Sequence, residues 1–328
     1  LKVALLGEEV QAAESHSAVT NSDAYTEYLK GRYAFKRNTM EGALEAIDHY
    51  RRAIDLDPGM APAWAGLASA TAWHTGFSSD FAEGYERARI AAKKALSLDP
   101  ALPEAHLALS QVQTGYDWDW SGAESSLNRA LSLRPGDATI MKELGDLEAQ
   151  LGRRDQAFRH YQQAAILDPL DLGIQGALAS AYSARDEDEK ALEIINRIRE
   201  MDPDRAVIHK SLGGLLIKAG RTEEALAEFK QEKLLFLSLE GQSIALHKLG
   251  RKAEAQAKLD ELIATMGESA SYQVARAYSQ FGDADKAIAW LERGFAIRDP
   301  GLTYMKMDRW LDPLRDDPRF QRLLEKMH

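Results

Sequence analysis

The chain has 328 residues, 45% apolar and 28% charged, with 23 glycines, 10 prolines and no cysteine. That is ordinary globular composition, and the missing thiols exclude disulfide scaffolds, thiolate metal sites and cysteine nucleophiles. Its 41 Lys and Arg stand against 51 Asp and Glu, a formal charge of −10, which argues against direct contact with a nucleic-acid backbone.

Residues 1–20 begin Leu1-Lys2-Val3-Ala4-Leu5-Leu6-Gly7-Glu8-Glu9, too short an apolar stretch for a signal peptide. Val3, Leu6 and Val10 share a helical spacing, so this stretch is read as a helix that either covers the first end of the array or is the tail of a preceding region. From 21 to 300 the chain repeats itself. Ala46, Ala88, Ala123, Ala157, Ala191, Ala225, Ala255 and Ala287 form a ladder with steps of 42, 35, 34, 34, 34, 30 and 32 residues. From the first five rungs a proline follows twelve residues on: Pro58, Pro100, Pro135, Pro169 and Pro203.

Each period predicts two antiparallel helices. The first unit has three extra residues between Gly31 and Ala46, and the second about eight between Ala68 and Ala88, which predicts longer helices there. In the third unit, Tyr116-Asp117-Trp118-Asp119-Trp120 bridges the two helices. Tyr116, Trp118 and Trp120 suit an anchor patch for a partner, but a plug for the seam beside the long second unit is the favoured reading. The fourth unit shows the pattern best, with Met141, Leu144 and Gly145, then Gly152, then Ala157, Tyr161 and Ala164. Small residues at Gly145 and Ala157 permit close helix approach. Gly152, and likewise Gly220, Gly250 and Gly282, supplies the left-handed cap of a tight turn. Each proline stops its helix, and Pro62 and Pro103 suit the first turn of the next. Asp186-Glu187-Asp188-Glu189 reads as a solvated turn. The run Leu234-Leu235-Phe236-Leu237 with Leu239 is far short of the ~20 residues of a membrane span. It is read as burying the second helix of the sixth unit. Residues 301–328, with Trp310, Phe320, Leu323 and Leu324, are read as an amphipathic cap on the array.

The pattern W-x2-L-G-x2-Y…A-x3-F…P is met by Trp64-x2-Leu67-Ala68, by Met141-x2-Leu144-Gly145 with Ala157-x3-Tyr161, and by His209-x2-Leu212-Gly213 with Ala225-x3-Phe229. Over roughly 23–300 the chain resembles the tetratricopeptide repeat. The resemblance implies an all-α, right-handed superhelical solenoid of about eight helix–turn–helix repeats. Finer phrases, Tyr28-Leu29-Lys30-Gly31-Arg32-Tyr33 and Arg298-Asp299-Pro300-Gly301-Leu302, look similar to the C-terminal arrays of bacterial multidomain signalling proteins. In those the array follows a TolB-like region and a nucleotide cyclase, kinase or winged-helix domain.

Chemistry is not expected of these residues. There is no phosphate-binding loop and no H-E-x-x-H pair, and the eight histidines are spread about one per repeat. We expect no metal, no cofactor and no catalytic residue. Binding remains, on the concave wall that first helices build. Its groove-facing positions are Tyr28, Arg32, Ser69, Gln111, Lys142, Asp146, Ser180, Lys210, Tyr272 and Arg276. Lys142 and Asp146 stand four apart and can instead pair with each other. The expected function is a non-catalytic scaffold that binds a protein or peptide, or a second copy of itself, and regulates an attached effector. The alternative is the regulatory portion of a multidomain enzyme such as a nucleotide cyclase. A small-molecule sensor is a third reading. No membrane contact is expected, and the cytoplasm is the expected location, with the periplasm as alternative.

Overall fold

In the computed structural model, residues 22–327 are described, and every regular element among them is helical. The helix read over Leu1–Val10 lies outside the described residues. Unit one pairs α1 (Ser22–Lys36) with α2 (Met40–Leu56); unit two pairs α3 (Ala61–Thr75) with α4 (Phe81–Leu98). Unit three pairs α5 (Pro103–Val112) with α6 (Trp120–Leu133), and unit four pairs α7 (Ala138–Gln150) with α8 (Arg154–Leu167). Unit five is α9 (Leu172–Ala184) and α10 (Asp188–Met201); unit six is α11 (Ile208–Lys218) and α12 (Thr222–Gln231). Unit seven is α13 (Leu235–Lys248) and α14 (Lys252–Met266); unit eight is α15 (Ser271–Phe281) and α16 (Ala284–Ile297). Beyond these eight pairs, two short 3₁₀ turns over Pro300–Tyr304 and Arg309–Leu314 lead into α17 (Pro318–Met327).

The alanine ladder is the seam between paired helices. All eight rungs are 3% exposed or less. The aromatic four residues after a rung explains the glycines of the first helices. A Cβ at Gly145 would lie 2.5 Å from the Tyr161 ring, and one at Gly213 2.5 Å from Phe229. The same rings also press on the next unit, so Tyr50 sits between Gly31 and Gly66, and Phe229 between Gly213 and Gly241. Each aromatic is therefore shared by two repeats.

The Asp-Pro phrases are built turns. The carboxylates of Asp57, Asp99 and Asp168 accept the amide two residues on, at 2.9, 2.9 and 3.2 Å. Six residues after each proline stands a side chain that donates to the proline carbonyl: Trp64 to Pro58 at 3.0 Å and Gln175 to Pro169 at 3.1 Å, with His106 at 3.0 Å from Pro100. Gly152, Gly220, Gly250 and Gly282 have φ of 79°, 76°, 78° and 81°, the left-handed turn read from the sequence.

Two expectations change. Leu234–Leu239 does not close unit six; it opens α13, the first helix of unit seven, burying Leu237 and Leu239 and leaving Leu235 exposed. The step of 30 arises because α12 has ten residues and a short link follows it. The C-terminal segment does cover the last unit with Leu311, Leu314, Phe320 and Leu323, but part of it also turns inward.

The coil closes on itself. The amide of Ala206, between units five and six, donates to the carbonyl of Asn38 in the unit-one turn at 3.2 Å. Unit three meets unit eight through the aromatic segment. The Trp118 ring lies 5.2 Å from Phe295, and the Trp120 indole donates to the Met327 carbonyl. The Arg298 guanidinium donates to the carbonyls of Tyr116 and Asp117 and lies over both the Tyr116 and Trp118 rings.

Candidate functional site

The inner wall is made by first helices, as the repeat geometry requires, but over units four to eight the chain's own C-terminal segment covers part of it. Between α16 and α17 the chain crosses the interior, and its side chains point alternately to the last unit and to the middle ones. Leu302, Met305, Leu311 and Leu314 are buried against unit eight. Between these anchors the segment Tyr304–Trp310 reaches across. Tyr304 lies against Gln150 and the Lys142–Asp146 pair, and the Lys306 stem runs 3.3 Å from where a Gly152 Cβ would stand. Met307 packs among Ala149, Tyr161, Leu178 and Ala181. Arg309 pairs with Asp186 at 2.9 Å and donates to the Ala184 carbonyl at 3.2 Å. Trp310 sets its ring edge-on to Phe229, against Gly214.

This placement alters the reading of several groove positions. Tyr272 and Arg276, read as groove-facing, are only 2% and 6% exposed because the chain's own segment covers them. The Tyr272 hydroxyl donates to Asp308 at 2.7 Å, and the Arg276 guanidinium bridges Asp308 at 2.9 Å and Glu240 at 3.2 Å. The same guanidinium lies 4.8 Å from the Trp310 ring. Lys210 borders this cluster. Burial pulls its ammonium below the ordinary lysine range, the neighbouring Arg276 charge adds to that, and Glu240, Asp308 and Glu232 oppose it. Burial likewise pushes the Glu240 carboxyl up to about 7, against Arg276 and Lys210. Asp299 is pushed up to about 6 by burial, although it accepts the amides of Tyr272 and Gly301.

Lys142 donates to Asp146 at 2.7 Å and to Glu143 at 2.9 Å, and Tyr161 donates to the other Asp146 oxygen at 2.7 Å. Burial works against the Lys142 charge, but those two carboxylates outweigh it and hold the ammonium above its usual range. The lysine is engaged within its own helix. Ser180 is exposed, its hydroxyl donating to the Gly176 carbonyl at 3.1 Å. In the first three units, Arg32 is exposed with its guanidinium 5.8 Å from the half-buried Tyr28 ring, while Ser69 and Gln111 are half-buried. The structure does not bring these four together with the Lys142–Arg276 stretch. Tyr116 stacks on Tyr85 of unit two at 5.4 Å, Trp118 is taken up by Phe295 of unit eight, and Trp120 by the end of α17. No cluster of three or more metal-ligating side chains occurs among the described residues.

Tyr304, Met307, Asp308 and Arg309 belong to the site and carry no repeat signature. Their one sequence signal is negative: the segment after Asp299-Pro300-Gly301 has neither a ladder alanine nor a helical apolar period.

Three stretches, 119–171, 149–212 and 269–299, match models of the tetratricopeptide repeat. Among known proteins, the chain is 25% identical over 242 residues to Superkiller protein 3 of Schizosaccharomyces pombe, covering 70% of this chain and 17% of that protein. It is 26% identical over 191 residues to the peroxisomal targeting signal receptor of Kluyveromyces lactis, covering 56% of this chain and 31% of that one. The chain thus spans a third or less of the length of these relatives. In fold it is similar to the Cut9–Hcn1 structure of the anaphase-promoting complex, with a TM-score of 0.62, 14% identity and coverage of 98% of this chain and 59% of that one. Eight helix pairs, the buried alanine ladder and the matched stretches agree, and the chain is a tetratricopeptide-repeat protein.

Proposed function

We propose that this chain is a non-catalytic interaction scaffold that takes a peptide or protein partner on its inner wall and thereby regulates an attached effector. One observation carries the reading. The wall of units four to six already grips a non-repeat, turn-forming segment through side-chain contacts, so it is built to hold a chain rather than to react with one. The wider comparison supports it: one relative is named a receptor, and the similar fold is named as a complex. No described residue favours the second reading, a regulatory piece of a cyclase-like enzyme.

The test is selection of peptides from a random display library on the immobilised full chain. Selected peptides should bind wild type and lose at least tenfold in affinity to Ser180→Trp, which fills the exposed middle of the wall. Enrichment of nothing, or peptides indifferent to that substitution, would defeat the assignment.

A further inference from the structure

The segment Tyr304–Trp310 differs from its flanks in a way that bears on what the wall recognises. Its anchors are buried outright, with Leu302 before the crossing, Met305 within it and Leu311 after it all 1% exposed or less. The crossing itself is half-exposed, with Tyr304 at 49% and Met307, Arg309 and Trp310 intermediate. Within the crossing, Met305, Asp308 and the Trp310 carbonyl are held by unit eight, Asp308 through Tyr272 and Arg276 and Trp310 through Gln280. The contacts of Tyr304, Lys306, Met307 and Arg309 with the middle units are made at half-exposed or exposed positions and can be given up while unit eight stays seated. The residues that touch the middle units are an aromatic, a lysine stem, a methionine, an arginine and a tryptophan.

What they meet is complementary. Met307 packs on the apolar cluster of Ala149, Ala157, Tyr161, Leu178 and Ala181. Arg309 lands on Asp186, and Asp188 stands beside it, 2.8 Å from Lys218. The Arg309 and Lys218 charges hold the Asp186 carboxyl well below its usual range. Gly152 leaves room for the Lys306 stem, which would stand 3.3 Å from a Cβ there. With ten more acids than bases in the chain, the long-range field also favours a cationic ligand.

We propose that the inner wall of units four to six is a binding site for a short, turn-forming cationic segment carrying an apolar side chain and a nearby aromatic, and that Tyr304–Trp310 is its resident occupant, displaced when such a partner binds. This rests on the wall being the partner surface. It adds the class of partner and the competition. A tether holds the resident at an effective concentration of the order of mM, so a partner in trans must bind well to win, and loosening the resident should strengthen the partner.

The experiment uses the full chain with Lys306→Glu and Arg309→Glu together, which sets a carboxylate against Asp186 in a half-exposed position. A fluorescein-labelled peptide of the sequence Leu302–Leu311 and its counterpart with both basic residues replaced by Glu are titrated by fluorescence polarisation, with thermal melting as the folding control. The variant should bind the basic peptide at least tenfold tighter than wild type does, and should not bind the acidic counterpart. A second variant, Met307→Ala, leaves charge alone and should give a smaller gain in the same direction. Equal affinity of wild type and both variants, binding of the acidic peptide, or dimerisation of the variant in place of peptide binding would each overturn the proposal. Display peptides that are lost on Ser180→Trp but are acidic, or indifferent to both resident variants, would overturn it while leaving the wall as the partner surface.

Discussion

Arg276 is the sharpest place to perturb. It is buried, and its guanidinium joins Glu240 of unit seven to Asp308 of the crossing segment, with Lys210 the cation that remains near if it is removed. Arg276→Met keeps much of the volume and the apolar stem but leaves two carboxylates in a site built for a cation. Breaking a buried pair from one side costs about 3–5 kcal/mol, and we expect that loss in urea unfolding followed by circular dichroism at about pH 8. Acidification should narrow the gap. Glu240 is already pushed up to about 7 by burial, above its unfolded range. A carboxyl raised on folding contributes stability that is fully present below its unfolded value and lost as pH climbs through the folded one. Without Arg276 the Glu240 carboxyl rises further, so between about pH 8 and pH 5.5 the variant should recover more than wild type. A loss below about 1 kcal/mol at the higher pH, or a gap no smaller at the lower, would show that the cluster is solvated and not the buried junction described above.

Gly241→Ala should destabilise although it adds helix propensity: its Cβ would stand 2.2 Å from Phe229, and overpacking at about 1–3 kcal/mol exceeds a gain of about 1. Pairing it with Phe229→Leu in a double-mutant cycle should return part of the loss, and strict additivity would deny the contact. Phe320→Ala, at a fully buried site, should cost about 3–5 kcal/mol in the same unfolding assay if the C-terminal helix is part of the fold. Asp171→Ala removes the acceptor for the Gly173 and Ile174 amides and should cost about 1 kcal/mol; no change in the denaturation midpoint would mean that α9 is held by packing alone.

The repeat architecture was legible because its marks are geometric necessities. A rung alanine has to be small where two helices touch, and the glycine caps need a positive φ, so both survive as a register that can be counted. The positions Tyr272, Arg276, Lys142 and Asp146 were picked by helix phase alone; the structure pairs the first two with Asp308 and the last two with each other. What could not be read was what covers them. Asp308 and Arg309 are 36 and 33 residues from Tyr272 and Arg276, in a stretch with no period, and nothing local to Lys306-Met307-Asp308-Arg309 says that it crosses the coil. The run Leu234–Leu239 was assigned to the wrong helix for a related reason. Without a proline after α12 the register offers no stop, and apolar residues alone do not tell the end of one helix from the start of the next.

An open coil of repeats behaves as a spring: each unit feels its neighbours, so the ends can fray or stretch while the middle stays folded. Here Arg298 and Trp120 fasten unit three to the end of the chain, and Ala206 fastens the fifth connection to the first turn. Those links join units far apart in the sequence, so the one-dimensional accounting that serves most repeat arrays does not apply. Local opening of unit eight must strip the aromatic segment of unit three at the same moment. The molecule should respond to load as a clasped ring, rigid until a fastening breaks and then yielding over several repeats at once.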